Sequence, residues 1–332
     1  MTNRQLCLVS RPTGLPQPSN WSVSSEPIPL PGRGEFLVEV THVSVDPAMR
    51  GWMNDVRSYL PPVGLGEVMR AGAAGRIVAS EHPDFAVGEW VTGVFGVQEY
   101  ALSDGREVYR IDPDVAAPPT WLGTLGITGL TAYFGLLDVG RPKPGDTVVV
   151  SGAAGAVGSI AGQLARIHGC RVIGIAGGPD KCAWISDELR FDAAIDYENQ
   201  RVAAELHRHA PAGLDVYFDN VGGEVLDAAL TRLARGARVV ICGAISQYNA
   251  PEIRGPRNYL MLLVSRASMT GFVVFDYLDR YAEARAELAR WLRSGELVSR
   301  ENVVQGAVED FPEVFLKLFA GENIGKLVLA LR

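Results

Sequence analysis

The stretch Ser151-Gly152-Ala153-Ala154-Gly155-Ala156-Val157-Gly158 follows directly on the apolar run Thr147-Val148-Val149-Val150, and a helical pattern opens there and runs to about His168. Strand, glycine-rich turn and helix in that order let a backbone approach a pyrophosphate closely and aim helix N–H groups at it. A second apolar run, Arg171 to Ala176, comes at the spacing that a βαβ unit of about 30 residues requires. Ala153 stands where the G-x-G-x-x-G pattern has its first glycine, while Gly155 and Gly158 keep the places needed for close backbone approach and helix packing. The pattern in this setting predicts a dinucleotide-binding unit.

The rest of the chain fits around that unit. Up to about residue 125, short alternating runs such as Glu35-Phe36-Leu37-Val38-Glu39-Val40 and Gly75-Arg76-Ile77-Val78-Ala79 are punctuated by Pro and Gly, which reads as β-rich. Pro118-Pro119 ends this region, and Thr128 to Leu137 reads as a buried helix. Strands are then expected at Val148–Ser151, Val172–Ile175, Ala193–Asp196, Val216–Asp219, Val239–Cys242 and Phe272–Phe275, with helical patterns between most of them. Such alternation predicts an α/β fold with a doubly wound parallel sheet. A long helix is expected from Asp279 to Ser294, and the terminal run Lys326 to Leu331 is expected to rejoin the N-terminal β region.

Cofactor choice is read at the end of the second strand. An NAD-binding fold usually places Asp or Glu there, to accept from the ribose 2′-hydroxyl. This chain has Gly177-Gly178 and then Pro179-Asp180-Lys181. Pro179 reads as the first helical position, which puts Lys181 in the first turn. A cation at the positive end of a helix is unfavourable until an anion joins it, and the 2′-phosphate of NADP is such an anion. A charge-assisted bond of this kind contributes about 1.5–3 kcal/mol, a preference for NADP(H) of roughly tenfold or more. The competing reading is a solvated Lys181 with Asp180 reaching the ribose.

Several further stretches carry a resemblance. They are Val45-Asp46-Pro47-Ala48-Met49-Arg50-Gly51, Gly66-Glu67-Val68-Met69-Arg70 and Gly129-Leu130-Thr131-Ala132-Tyr133, besides the glycine turn. Asp215-Val216-Tyr217-Phe218-Asp219-Asn220-Val221-Gly222-Gly223, Gly255-Pro256-Arg257-Asn258-Tyr259 and Asn323-Ile324-Gly325-Lys326 belong with them. Together with Cys242-Gly243-Ala244-Ile245-Ser246, they make the chain resemble the medium-chain dehydrogenase/reductase superfamily over nearly its whole length. Within it, the chain looks like the zinc-free leukotriene B4 dehydrogenase / prostaglandin reductase branch, which includes bacterial alkenal and curcumin reductases.

The resemblance implies a GroES-like catalytic domain over residues 1–125, a Rossmann domain over 126–298, a return to the first domain over 299–332, and an active-site cleft between the two. It implies that Gly155, Ala156, Val157 and Gly158 meet the pyrophosphate, and that Lys181 and Tyr197 take the 2′-phosphate. Asn220 and the loop Cys242-Gly243-Ala244-Ile245-Ser246-Gln247-Tyr248 would line the adenosine side and the route to the nicotinamide. Phe272, Val273, Val274 and Asn323 would hold the nicotinamide end, and Tyr259 would reach the substrate oxygen. Beside these roles stand plainer ones. Tyr259 is equally read as a loop anchor, Arg50 as an ion-pair partner rather than a cleft residue, and Asp219 as the cap of a turn.

No metal is expected. Zinc members of the superfamily use a Cys ligand and a Gly-His-Glu motif, whereas Gly66-Glu67 lacks the histidine and Val45-Asp46 offers no thiolate. The predicted reaction is therefore zinc-independent reduction of the carbon–carbon double bond of an enone or enal by NADPH. Hydride passes to the β-carbon, and the enolate oxygen meets the Tyr259 hydroxyl and the nicotinamide ribose 2′-hydroxyl. A quinone reductase of the same superfamily and a non-catalytic NADPH-binding protein are the alternatives.

Composition bounds the partners. With 31 Lys and Arg against 38 Asp and Glu, and a net charge of −7, nucleic acid is not expected. No apolar run reaches the roughly 20 residues that span a bilayer, and Met1-Thr2-Asn3-Arg4 lacks a signal-peptide core. Cys7, Cys170, Cys182 and Cys242 lie far apart with no C-x-x-C pair, which suggests a reducing cytoplasm. The resemblance implies a homodimer formed through the Rossmann sheets, with the Phe272–Phe275 strand as the pairing edge.

Overall fold

The computed structural model describes residues 2–332. The chain begins with β1 (Thr2–Leu8), β2 (Trp21–Pro27) and β3 (Phe36–Ser44), and continues with the short helix α1 (Met49–Trp52). Then come β4 (Gly72–Ser80), β5 (Trp90–Val94), β6 (Tyr100–Ser103), β7 (Tyr109–Arg110), α2 (Pro118–Leu122) and α3 (Ile127–Phe134). Strict alternation follows, as β8 (Thr147–Ser151), α4 (Ala156–Ile167), β9 (Arg171–Ala176), α5 (Pro179–Asp187), β10 (Ala193–Asp196) and α6 (Val202–His209). It continues through β11 (Leu214–Asp219), α7 (Gly223–Leu230), β12 (Leu233–Ile241), α8 (Leu260–Ser265), β13 (Ser268–Gly271) and α9 (Tyr281–Ser294). The tail adds β14 (Glu301–Gly306), α10 (Phe311–Ala320) and β15 (Lys326–Leu331).

Two compact units result, one from the residues up to Leu122 together with Glu301–Arg332, the other from Gly123–Arg300. The first is built on a mixed sheet in the order β14-β15-β3-β4-β5-β7, with β6 also on β3 and a separate β1–β2 hairpin. β15 pairs antiparallel with β3, Leu329 opposite Val43, so the end of the chain supplies strands to a sheet begun near its start. Helix α10 buries Phe311, Val314, Phe315 and Leu318, the i, i+3, i+4, i+7 stripe of a helix with one apolar face. These side chains join Phe36, Val38, Met49 and Leu327 in one core. Gly321, at φ 68°, ends the helix in the left-handed conformation that glycine adopts without strain.

The second unit is a six-stranded sheet in the order β10-β9-β8-β11-β12-β13, parallel throughout. Val148, Val149 and Val150 are fully buried, as a strand covered on both faces by helices must be. The order reverses between β8 and β11, and the crevice at such a switch point is where doubly wound sheets bind their ligands.

One expected strand is displaced. The aromatic and β-branched residues of Phe272–Phe275 predict the sixth strand, but the strand is Ser268–Gly271, pairing Arg238 to Ser268 and Ile241 to Gly271. Its four residues are all exposed at a sheet edge, so no apolar alternation marks it. Phe272 leaves the sheet and packs against Gly135, and Val274–Arg280 turns into a 3-10 helix that buries Val274. The edge strand on this side of the sheet is accordingly β13. Helix α3 also ends sooner than read, giving way to one wider π turn over Gly135–Gly140. Among the described residues, no helix is long and apolar enough to cross a membrane.

Candidate functional site

The C-terminal ends of β8, β9, β11 and β12 carry the side chains that matter. After β8 the chain turns through Gly152, at φ 59°, and α4 starts at Ala156 with Gly155 as its extended N-cap. Gly155 N–H donates to Gly152 O at 2.9 Å, closing the turn. A β-carbon on Gly158 would lie 2.2 Å from Gly152 O, a backbone atom that has nowhere to go. The turn therefore needs glycine at 158, and its tightness presents the first N–H groups of α4 at the surface of the crevice. Gly155, Ala156, Val157 and Gly158 thus form a cradle that fits a pyrophosphate.

The far side of the crevice is the turn from β9 into α5. Gly178 is the N-cap at φ 82°, Pro179 opens the helix and Lys181 sits in its first turn, half-buried. Burial lowers the Lys181 pKa, opposed by the charge of Glu198. Asp196, at the end of β10, accepts the N–H of Gly178 at 2.9 Å and that of Glu198 at 3.0 Å. Tyr197 is 47% exposed and its hydroxyl lies beside Gly177. Lys181 and Tyr197, assigned to one phosphate by the resemblance, therefore stand at one turn. A cation in a helix first turn fits a phosphate ester better than a bare ribose hydroxyl.

Asp219 organises the middle of the crevice. It is 1% exposed, and its Oδ1 accepts from Ser151 Oγ at 2.9 Å, Tyr217 Oη at 3.0 Å, and the N–H groups of Val221 and Gly222 at 3.0 Å each. Burial raises its pKa against the pull of these bonds. Asp219 thus caps the β11–α7 turn, at the C-terminal end of β11. Asn220 donates through Nδ2 to Ser151 O at 2.7 Å, tying that turn to β8. Cys242 and Gly243 donate their N–H groups to Asp219 O at 2.9 and 3.1 Å. Ser246 Oγ donates to Val221 O at 2.6 Å, and Ala244 N–H to Tyr248 Oη at 3.2 Å. Ile245 and Gln247 lie in the 3-10 turn between them. The loop from Cys242 to Tyr248 is in this way clamped onto the turn that holds Asn220.

Tyr259 is the N-cap residue of α8 and 57% exposed. Its neighbours are pinned by Asp227, whose Oδ1 accepts the N–H groups of Arg257 and Asn258 at 2.7 and 3.1 Å. A ring so exposed is not a packed anchor. Phe272 and Val273 follow β13, with the Phe272 ring against Gly135, and the Val274 carbonyl accepts from Tyr281 Oη at 3.1 Å.

Two expected site residues lie in the other unit. The Asn323 amide donates to Gly325 O at 2.9 Å. Arg50 is 3% exposed, and its guanidinium donates to Gly14 O at 2.9 Å, Pro12 O at 3.1 Å and Asn54 Oδ1 at 2.6 Å. Two backbone carbonyls and a side-chain amide thus hold the guanidinium against the Pro12–Gly14 segment. Sequence reading missed Glu198, although an acid directly after Tyr197 at the end of β10 was its signal. Among the described residues there is no group of three or more His, Cys, Asp and Glu side chains placed to hold a metal ion.

Residues 4–111 match the model of an N-terminal domain of oxidoreductases, and residues 156–291 match that of zinc-binding dehydrogenases. The chain is 41% identical to the NADPH-dependent curcumin reductase of Escherichia coli (strain K12), over 98% of this chain and 96% of that protein. It is 35% identical to the NADP(+)-dependent 2-alkenal reductase of Nicotiana tabacum, over 99% and 97%. The crystal structure of CurA from Vibrio vulnificus in complex with NADPH superposes with a TM-score of 0.94 at 45% identity, covering 99% of both chains.

Proposed function

We infer the reaction from kinship, because the chain belongs to the medium-chain dehydrogenase/reductase superfamily, in its zinc-free leukotriene B4 dehydrogenase / prostaglandin reductase branch. The protein is an NADP-dependent oxidoreductase that reduces the carbon–carbon double bond of α,β-unsaturated ketones and aldehydes. The observation that carries the cofactor is Lys181 in the first turn of α5, beside the Gly177-Gly178 turn. NADPH bound in the crevice supplies the hydride that the β-carbon of the substrate receives.

The chain's own residues bind, orient and stabilise. The first turn of α4, through Gly155 to Gly158, holds the pyrophosphate, and Lys181 with Tyr197 holds the 2′-phosphate. Asn220 and the clamped Cys242–Tyr248 loop line the adenosine side, while Phe272, Val273 and Val274 serve the nicotinamide end, a role resting on the resemblance. Tyr259 donates its hydroxyl to the oxygen on which enolate charge develops. Its exposure and its tethered neighbours support that reading. We assign Arg50 a positioning role, holding the Pro12–Gly14 segment against α1.

The protein acts as a homodimer of the cytoplasm in this reading. Leu260, Leu263 and Val264 are 59, 76 and 57% exposed on α8, next to the open edge of β13, which together suit a second copy of the chain. The four cysteines, Cys7, Cys170, Cys182 and Cys242, are all unbridged, as a reducing compartment keeps them.

The test is direct. Purified protein is given NADPH and 3-nonen-2-one with a chelator present, and the absorbance of NADPH and the product are followed. The saturated ketone is expected. Alcohol product, or turnover confined to quinones, would overturn the proposal.

A further inference from the structure

The corner that receives the 2′-phosphate holds a carboxylate. A β-carbon built on Gly177 would lie 2.5 Å from Glu198 Oε1 and 2.7 Å from Tyr197 Oη, and one on Gly178 would lie 3.7 Å from Glu198 Oε2. The Glu198 carboxylate is therefore folded back over both glycines of the β9–α5 turn. Its backbone is held there, since Asp196 Oδ1 receives the N–H groups of Gly178 and Glu198 together. The parallel register of β9 and β10, with Ala176 beside Asp196, fixes the rest.

The charged and titratable groups of this corner come from two elements. Helix α5 contributes Asp180, Lys181 and Cys182, and the end of β10 contributes Asp196, Tyr197 and Glu198. Glu198 is the charge that opposes the burial of Lys181, and burial followed by the charges of Asp196 and Glu198 pushes the Cys182 thiol up to about 11. Two chemistries meet here. A carboxylate at this corner accepts from a free ribose 2′-hydroxyl, and a lysine in the helix first turn neutralises a phosphate on that hydroxyl.

Building on the NADPH reading above, we propose that Glu198 is a specificity-determining residue. Its carboxylate occupies the place beside Lys181 and Gly177 that the 2′-phosphate enters, and so narrows the preference of the protein for NADPH over NADH. To admit the phosphate, Glu198 swings outward, which its exposed side chain permits. With NADH it stays and accepts from the 2′-hydroxyl.

The experiment compares the whole chain with its Glu198→Gln variant, in which an exposed side chain changes and the fold is untouched. Dissociation constants for NADPH and NADH are measured by calorimetry at low salt and at about 0.5 M salt. The ratio favouring NADPH is expected to rise about fivefold or more in the variant, and the gain to shrink in high salt, as removal of a like charge requires. Phosphorus NMR of bound NADPH gives a second readout, with the 2′-phosphate titrating at lower pH in the variant because a neighbouring negative charge has gone. A ratio unchanged within about twofold, or equal tightening of both cofactors, would overturn the proposal. A native chain that bound neither cofactor would overturn the NADPH reading and this one with it, an outcome distinct from tight NADPH binding that ignores Glu198.

Discussion

Lys326 Nζ lies 2.9 Å from Asp46 Oδ1, on a lysine that is only 2% exposed. The same ammonium donates to Val45 O at 2.8 Å, and Ser44 Oγ donates to the other oxygen of Asp46. The start of β15 is thereby stitched to the turn that follows β3. Removing one member leaves the other charge without its partner, which costs about 3–5 kcal/mol when both are buried. Asp46 is 25% exposed, so water takes part of that cost. Lys326→Ala is expected to destabilise the chain by about 2–3 kcal/mol, a fall in Tm of about 3–4 °C in thermal unfolding. An unchanged Tm would show that the pair contributes nothing.

Asp219 makes stability depend on pH. Its folded pKa is raised, chiefly by burial, so the folded state binds this proton more tightly than the unfolded chain does. The stability it contributes is whole below its ordinary 3.8 and is lost as pH rises through the folded value. Asp219→Asn removes the titration and keeps an oxygen acceptor for Ser151, Tyr217, Val221 and Gly222. Melting curves taken from about pH 4 upward should show the native chain losing ground to the variant. A gap independent of pH would contradict this.

Gly158→Ala sets a β-carbon 2.2 Å from the Gly152 carbonyl oxygen. Overpacking against backbone costs about 1–3 kcal/mol and opens the turn that faces the pyrophosphate. Calorimetric titration with NADPH should show affinity weakened about tenfold or more, with the circular dichroism of the chain retained. Native affinity in this variant would remove the turn from the binding site.

Tyr259→Phe deletes one hydroxyl from a ring that is 57% exposed and supports no core. If that hydroxyl meets the enolate oxygen, kcat for an enone falls about tenfold or more while Tm stays level. Steady-state rates with saturating NADPH decide it, and an unchanged kcat would leave Tyr259 without a role in the chemistry.

Leu263→Asp places a charge on the most exposed apolar residue of α8, 76% open in the single chain. Light scattering on a sizing column should show the mass falling from that of two chains to one. A native chain already running as a monomer would dismiss the dimer.

The glycine turn, the strands around it and the first turn of α5 were legible because they depend on local pattern. A strand buried on both faces reads as an unbroken apolar run, and Val148-Val149-Val150 is one. Pro179 announces its helix by its own backbone geometry. β13 was not legible, because Ser268-Met269-Thr270-Gly271 lies exposed on a sheet edge and carries no alternation, while the neighbouring Phe272-Val273-Val274-Phe275 imitates a strand. Arg50 had a motif around it but no clue to its partners, since the carbonyls of Pro12 and Gly14 belong to a segment 36 and more residues away.

By itself the sequence determined the alternation of strand and helix, the cradle at Gly155–Gly158 and the lysine that follows Gly177-Gly178, because each is written within a few adjacent residues. Tertiary structure alone decided that Glu198 folds over Gly177, that Ser151 of β8 donates to Asp219 and that Lys326 finds Asp46. The reason is physical. Such contacts arise from strand order and register, which join residues about 20 to 280 positions apart, and the cost of burying a charge is set by what surrounds it after folding.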